Sequence, residues 1–437
     1  MKIIILAAGI GKRMWPITID KSLLPFLGQP VFYHTLKRIK DAINFDEAII
    51  VTREESKEQI SKIASDLGVN FKIAVQTSAK GMADAVLSAK EYLTGEILVM
   101  NAEDILDENA YQDMLDSAAE TQADVVLVGK PVSEYIPGGY LKVEGDKVKE
   151  VVEKPGADNM PSDLFKVVLD YFKDGQQIVS VLEKSSSDQD DVYEVSLNKM
   201  ISDGLDVRYT KYEGVCIPIK YPWHVLDFTN YFLANLKKQI SPTAKIAESA
   251  IIEGEVVIED GVKVFEGAVI KGPCYIGKNC VVGNNSMVRE SILEEGCVTG
   301  FNSDITRSYI GANSWFHTNY IGDSVIEGDF GMGSGAVLAN LRLDNHTIRV
   351  GDLSTGSGQV DSGRDKLGLI AGKGSRVGVN ASTMPGARIG SNALVGPGVV
   401  LYGDVKENKK VLVKQNLEIT EHTPALTSYD QFKEKLK

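Results

Sequence analysis

Ile246, Ile252, Ile258, Val264, Ile270, Ile276, Val282 and Val288 recur every six residues without a gap. Between them lie small, charged or glycine residues, as in IEGEVVIEDGVKVFEGAVIKGPCYIG. A period of six fits neither the 3.6-residue period of an amphipathic helix nor the two-residue period of a pleated strand. It predicts a parallel β-helix whose coils have three flat sides, each side supplying one inward aliphatic residue. The register falters between about 290 and 365, where loops are expected to protrude, and resumes with Val377, Ile389, Val395 and Leu401. The polar run KENKK after about 408 marks the end of the last coil. SYDQFKEKLK reads either as a short helix closing the solenoid or as a frayed tail.

A chain of 437 residues is too long for one ordinary core, so at least two domains are expected. Residues 1–235 read as the first. Short apolar runs there alternate with helix-like stretches: KIIILAAG as a buried parallel strand, VFYHTLKRIKDA with helical spacing, then EAIIVT, FKIAVQ, EILVMNAED and ADVVLVGK as strands. Amphipathic runs such as ADAVLSAKEYL separate them. This alternation predicts an α/β domain, an open sheet with helices on both faces. Residues 240–408 read as the β-helix and 409–437 as a C-terminal tail.

The net charge of -13 argues against nucleic-acid or anionic-membrane partners, because both reward basic surfaces. It leaves room for a local basic pocket that takes a phosphorylated small molecule. No run of about 18 apolar residues occurs and the first segment lacks a signal-peptide pattern, so a cytoplasmic protein is expected. Cys216, Cys274, Cys280 and Cys297 form no C-x-x-C pair, and the five histidines lack zinc-site spacing. Free buried thiols are the reading.

The stretch that carries chemistry is LAAGIGKRMW, directly after the first strand. Gly9 and Gly11 remove the Cβ atoms that would keep a phosphate away from backbone N–H groups, and Lys12 and Arg13 favour the anion. A G-x-G turn after a strand is more often a plain tight corner, and this one lacks the third glycine of the dinucleotide fingerprint. The residues downstream of the turn change that balance. LAAGIGKRMWPITIDKSLLPFLGQPV resembles the signature of the sugar-1-phosphate nucleotidyltransferases through Leu6, Ala7, Ala8, Gly9, Gly11, Arg13, Pro16, Thr18, Lys21, Leu23, Leu24 and Pro25. Gln76 with GMADA, and Gly139 with VVEKP at 151–155, resemble further motifs of that family in the same order.

The resemblance implies that Arg13 and Lys21 hold the triphosphate of UTP, with Leu6, Ala7, Ala8, Gly9 and Gly11 around the nucleotide and Gln76 and Gly81 toward the base. It implies that Gly139, Glu153 and Lys154 hold the sugar phosphate. The family's Mg²⁺ ligands depart from pattern. The first falls in VMNAEDIL, leaving Glu103 or Asp104, and the second falls on Pro218, which has no side-chain ligand. The family's sugar-contacting asparagine is not recognisable in FKVVLDYFK.

The solenoid carries a second signature. WFHTNYIGDSVIEGDFGMGSGAVLANLRLDN and VDSGRDKLGLIAGKGSRVGVNASTMPGARIG resemble the acetyltransferase half of bifunctional glucosamine-1-phosphate acetyltransferase/N-acetylglucosamine-1-phosphate uridylyltransferases, the second segment the archaeal type in particular. An ammonium group is not a nucleophile, so a base that titrates near neutrality must take its proton as nitrogen attacks the acetyl-CoA thioester; the resemblance gives that part to His317. It also implies that Tyr320 and Asn340 orient the amino sugar, Arg289 meets its phosphate, and Ser334, Val379 and Gly396 line the pantetheine channel. Two family lysines are replaced, by His346 and by Thr306 beside Arg307. The family is trimeric, so a homotrimer with acetyl-CoA between adjacent solenoids is expected. The reading is therefore a bifunctional enzyme of UDP-N-acetylhexosamine synthesis, acting on sugar phosphates and nucleotides. Two alternatives stand beside it. Pro218 favours an acetyltransferase whose N-terminal domain only binds nucleotide, whereas His317 with Asn340 speaks against a non-catalytic regulatory subunit of the pyrophosphorylase type. UTP or dTTP, and glucosamine or galactosamine, stay open.

Overall fold

The side chains of the first strand alternate between two cores: Ile3, Ile5 and Ala7 enter one, Ile4 and Leu6 the other. Both faces are covered, which is why this strand, β1 (Lys2–Ala7), is an unbroken apolar run. The computed structural model describes residues 1–78, 80–351, 358–422 and 433–436. A short hairpin, β2 (Pro25–Phe26) and β3 (Gln29–Pro30), leads into α1 (Val31–Ala42). Next along the chain are β4 (Glu47–Thr52), α2 (Lys57–Asp66), β5 (Phe71–Val75), α3 (Gly81–Ser88), β6 (Ile97–Asn101), β7 (Asp104–Leu106), α4 (Glu108–Thr121) and β8 (Val125–Pro131). After these come β9 (Gly139–Glu144), β10 (Lys147–Glu153), β11 (Leu164–Phe172), α5 (Gly175–Leu182), α6 (Val192–Ser202), β12 (Val207–Lys211), β13 (Cys216–Pro218) and α7 (Val225–Ala234).

The strands form a nine-stranded sheet in the order β5-β4-β1-β6-β11-β8-β12-β10-β9. β5, β4, β1 and β6 run parallel, and β11 inserts antiparallel between β6 and β8. One face packs α1, α2 and α4 through Leu36, Ile60 and Met114; the other packs α3, α5 and α6 through Val86, Ile178 and Leu197. This is the α/β architecture the alternating pattern predicts. β7 and β13 form a separate two-stranded ladder at the edge of the cleft.

From Gln239 onward the chain is a parallel β-helix with three sides. One side is a nine-stranded sheet and a second an eight-stranded sheet. The third consists of a three-stranded and a four-stranded sheet, linked by single bridges through Val281, Val298, Trp315 and Gly331. The six-residue repeat fills the interior: Ile258, Val264, Ile270, Ile276, Val282 and Val288 belong to one core with Val377, Ile389, Val395 and Leu401, and Ile246 and Ile252 pack against its end. Cys274, Cys280 and Cys297 are buried free thiols, and Cys216 is a half-buried one. Asparagines in the left-handed backbone region turn corners. Asn279 is one, and its side chain sits over Gly261 in the coil below, where any Cβ would collide with it.

Between 290 and 338 the structure differs from expectation. Val264 pairs with Val282, eighteen residues on, but Tyr275 pairs with Ile292, seventeen on, and Asp304 with Tyr320, sixteen on. Corners shed a residue, which shifts the phase of the repeat without unstacking the coils, since Ile305, Ile310, Ile321 and Ile326 still fill the interior. The excursion comes later, between Val337 and its partner Ser382, and includes a hairpin of Arg349–Gly351 with Gln359–Asp361. The last coil strand is Lys410–Val411. Most of SYDQFKEKLK lies outside the described residues. Among the described residues no helix is long and apolar enough to cross a membrane.

The two domains share a core. Outward residues of the nine-stranded side form a register ladder, Val257, Tyr275, Ile292, Tyr309, Val325 and Ile370. All are buried against Met14, Ile17, Leu24, Phe26 and, on α7, Phe228 and Phe232. Each such side chain contributes roughly 1.5–3 kcal/mol when taken from water.

Candidate active site

A cleft of about 660 Å³ opens at the C-terminal ends of β1 and β6, the usual ligand position in an open α/β sheet. It gathers Leu6, Ala8, Gly9, Gly11, Arg13, Lys21, Gln76, Gly81, Glu103, Asp104 and Lys154. Gly139 and Glu153 line an adjoining pocket of about 290 Å³ that shares Arg13, Lys154, Lys166 and Lys220 with the cleft. Ala7 is the exception: its side chain is in the core beneath the sheet.

The loop from Ala8 to Lys12 turns through Gly11, whose φ of 58° lies in the left-handed region. Gly81 opens α3, and a side chain there would strike the Asp190 carboxylate. The Gln76 amide donates to Gly81 O at 3.2 Å and to Asp84 Oδ2 at 2.8 Å, so it is held at the cleft wall. Arg13 stacks over the Tyr221 ring at 5.5 Å. The Lys21 ammonium pairs with Glu103. Burial pushes the Glu103 carboxyl up, against the pull of Lys21; burial also raises Asp104, against a 2.9 Å hydrogen bond from Asn101. Pro218 lies directly across the β7–β13 ladder from Asp104. Two adjacent, incompletely neutralised carboxylates suit Mg²⁺, which takes one or two carboxylates plus substrate phosphates and water. Pro218 adds no side-chain oxygen.

Sequence reasoning missed the polar wall of the sugar-side pocket. Lys166, only 4 % exposed, pairs with Asp170 at 2.7 Å, and Tyr193 donates to the same carboxylate at 2.9 Å. Lys166 sits in FKVVLDYFK, where no asparagine could be recognised. Glu194 faces this pocket, its carboxyl pushed up to about 7 by burial, with the Lys166 ammonium opposing the rise. The Lys220 ammonium is half-buried over Phe165 and donates to Pro137 O at 2.7 Å; burial lowers its pKa.

In the β-helix, His317 is exposed at a corner, with Trp315 edge-on to its ring at 5.4 Å. Its backbone N–H donates at 2.8 Å to Asn319, whose buried amide donates to Gly333 O and Ala336 O. The Asn340 amide donates to the Tyr320 hydroxyl at 3.3 Å and to Asp323. Asp323 in turn grips Arg307 through two oxygens, at 2.8 and 2.9 Å. Arg289 is tied to Asp304 at 3.0 Å. Ser334, Val379 and Gly396 fall in successive coils at one corner, because Asn380 N–H bonds Ser334 O and Gly398 N–H bonds Val379 O. Thr318 O accepts from Gly335 N–H, which places His317 in the coil below Ser334. Among the described residues the His317 ring makes no hydrogen bond to Tyr320 or Asn340.

Residues 2–214 match the Nucleotidyl transferase family, and residues 255–290 match the family described as Bacterial transferase hexapeptide (six repeats). The chain is 30% identical over 427 residues to the Bifunctional protein GlmU of Methanococcus vannielii, covering 96% of this chain and 99% of that one. It is 30% identical over 418 residues to the Bifunctional sugar-1-phosphate nucleotidylyltransferase/acetyltransferase of Sulfurisphaera tokodaii, covering 93% and 98%. The chain belongs to this bifunctional archaeal family. Both halves of the fold agree with that membership, the second as a left-handed β-helix of hexapeptide repeats. These two relatives extend over nearly the whole chain, so the similarity spans both domains in a single polypeptide.

Proposed function

We propose that the chain makes a UDP-N-acetylhexosamine in two steps, acetyl transfer from acetyl-CoA to an amino-sugar 1-phosphate and uridylyl transfer from UTP to a sugar 1-phosphate. The convergence of Gly9, Gly11, Arg13, Lys21, Gln76 and Glu103 on one cleft carries the nucleotidyl half of the reading. A sugar phosphate oxygen attacks the α-phosphorus in line and pyrophosphate leaves. Arg13 and Lys21 hold the triphosphate, Gln76 and Gly81 flank the base, and Gly139, Glu153 and Lys154 seat the sugar phosphate. Glu103 and Asp104 would hold Mg²⁺, which supplies positive charge to the phosphates when bound.

For acetyl transfer, His317 takes the proton of the amine as its nitrogen attacks the thioester carbonyl and the thiolate of CoA leaves. Tyr320 and Asn340 orient the sugar, Arg289 meets its phosphate, and the column of Ser334, Val379 and Gly396 runs beside the pantetheine arm. An exposed apolar set on the eight-stranded side, Ile251, Met287, Val337 and Val400, favours lateral packing of copies into a homotrimer. The test crosses UTP and dTTP with several sugar 1-phosphates in a Mg²⁺-dependent pyrophosphate-release assay. Thiol release from acetyl-CoA with glucosamine 1-phosphate and galactosamine 1-phosphate tests the other half. Pro218 opposite Asp104 favours a second reading, acetyl transfer alone; thiol release without pyrophosphate release would select it.

A further inference from the structure

Glu327 comes directly after the β-helix strand Val325–Ile326, yet its carboxylate reaches into the nucleotidyltransferase domain. Its Oε1 accepts three hydrogen bonds from the signature loop, from Thr18 N–H at 2.8 Å, Thr18 Oγ1 at 2.7 Å and Ile19 N–H at 2.7 Å. Its Oε2 accepts the backbone N–H of Lys373, in the next coil, at 2.8 Å. The Lys373 ammonium is elsewhere, 3.5 Å from Asp329. Among the described residues, then, this carboxylate meets hydrogen-bond donors and no cation, an arrangement in which dipoles aimed at an anion fix its place. The coil beside it touches the same loop backbone to backbone: a Cβ on Gly372 would stand 2.7 Å from Pro16 O.

The loop is anchored again just beyond. Asp20 caps the turn at Ser22 N–H, 3.1 Å away, and holds Arg53 and Ser56 at 2.9 Å each. Lys21 lies next to both anchors and projects into the cleft. We propose that Glu327 is a positioning residue for nucleotidyl transfer, supplied by the β-helix, which fixes the Thr18–Ile19 peptide and through it aims the Lys21 ammonium. The proposal rests on the nucleotidyl-transfer reading. It makes the β-helix a brace for a loop of the first site as well as the seat of the second.

The test uses the full chain with E327A, E327Q and E327D, measuring KM and kcat for UTP by pyrophosphate release and acetyl transfer in the same preparations. E327A is expected to raise KM for UTP about tenfold, the effect of losing charge-assisted bonds worth a little over one decade of affinity. KM for the sugar phosphate and acetyl transfer should stay within about twofold, since neither involves this loop. E327Q should recover most of the loss, because an amide oxygen still serves the three loop donors and only Lys373 N–H loses its acceptor. Should E327A not fold, E327D carries the same test: one methylene shorter, it cannot span Thr18 and Lys373 together. An unchanged UTP KM in the folded variant, or no recovery in E327Q, overturns the assignment. A wild-type chain that releases no pyrophosphate defeats the nucleotidyl-transfer reading instead. The anchoring of the Thr18–Ile19 peptide by Glu327 is then tested separately by amide exchange at those two residues, which E327A accelerates if the anchoring holds and leaves unchanged if it does not.

Discussion

Lys21 is closed onto Glu103, and both side chains are largely buried, 16% and 13% exposed. One ammonium therefore serves a carboxylate proposed as a Mg²⁺ ligand, and a triphosphate bound beside Gly9 would compete for the same charge.

Lys21→Ala should lower kcat/KM for UTP more than tenfold, because a charge facing the triphosphate contributes about 1.5–3 kcal/mol. Steady-state pyrophosphate release, with circular dichroism to show retained folding, checks this. Turnover like that of the wild type would remove Lys21 from the site.

Pro218 offers no side-chain ligand opposite Asp104, so nucleotidyl transfer should need millimolar rather than micromolar Mg²⁺. Pro218→Asp should shift the Mg²⁺ titration to lower concentration, provided the ladder tolerates the loss of proline's fixed φ. A wild type saturated at micromolar Mg²⁺ would show that another side chain supplies the ligand.

His317→Ala should abolish thiol release from acetyl-CoA while pyrophosphate release and the mass in light scattering stay as in the wild type. The site of nucleotidyl transfer is in the other domain, and the His317 ring is exposed at a corner rather than part of the coil interior. Undiminished thiol release would remove His317 as the base, and a monomer at micromolar concentration would defeat the shared-seam arrangement.

Glu294, 2% exposed at the domain interface, accepts Gly28 N–H at 2.9 Å. Burial pushes its carboxyl from 4.5 to about 7, against the hydrogen bonds from Gly28 and Leu27. The folded state thus holds this proton more tightly than the unfolded chain. The stability it supplies is full below about pH 4.5 and is lost as pH rises through about 7. Glu294→Gln should shrink the stability difference between pH 5 and pH 8 by about 2–3 kcal/mol, read from urea unfolding at the two pH values. An unchanged difference would refute it.

The interior of the solenoid was legible because one inward residue per side repeats in sequence, and the strands of the sheet because helices cover both faces. Where corners drop a residue, between Tyr275 and Tyr320, the repeat loses phase in sequence although the coils remain stacked. The signature from Leu6 to Pro25 pointed to the cleft, but the partners of its own loop were out of reach. Glu327 and Thr18 stand 309 positions apart, and nothing local marks that glutamate among the other charged residues of the coils. Lys166 was invisible for a different reason: its partner Asp170 replaces the solvent a strand lysine would otherwise face.

The ladder from Val257 to Ile370 bears on how such a chain can be divided. Those six side chains face outward from the solenoid and inward to the molecule, so severing the polypeptide near residue 235 would split a hydrophobic core rather than cut a tether. Each fragment would carry away half of a seam with an apolar face open to water. A two-gene version of this protein would have to re-associate its products or rewrite that face, and covalent continuity here keeps the halves together in a fixed geometry as well as in fixed proportion.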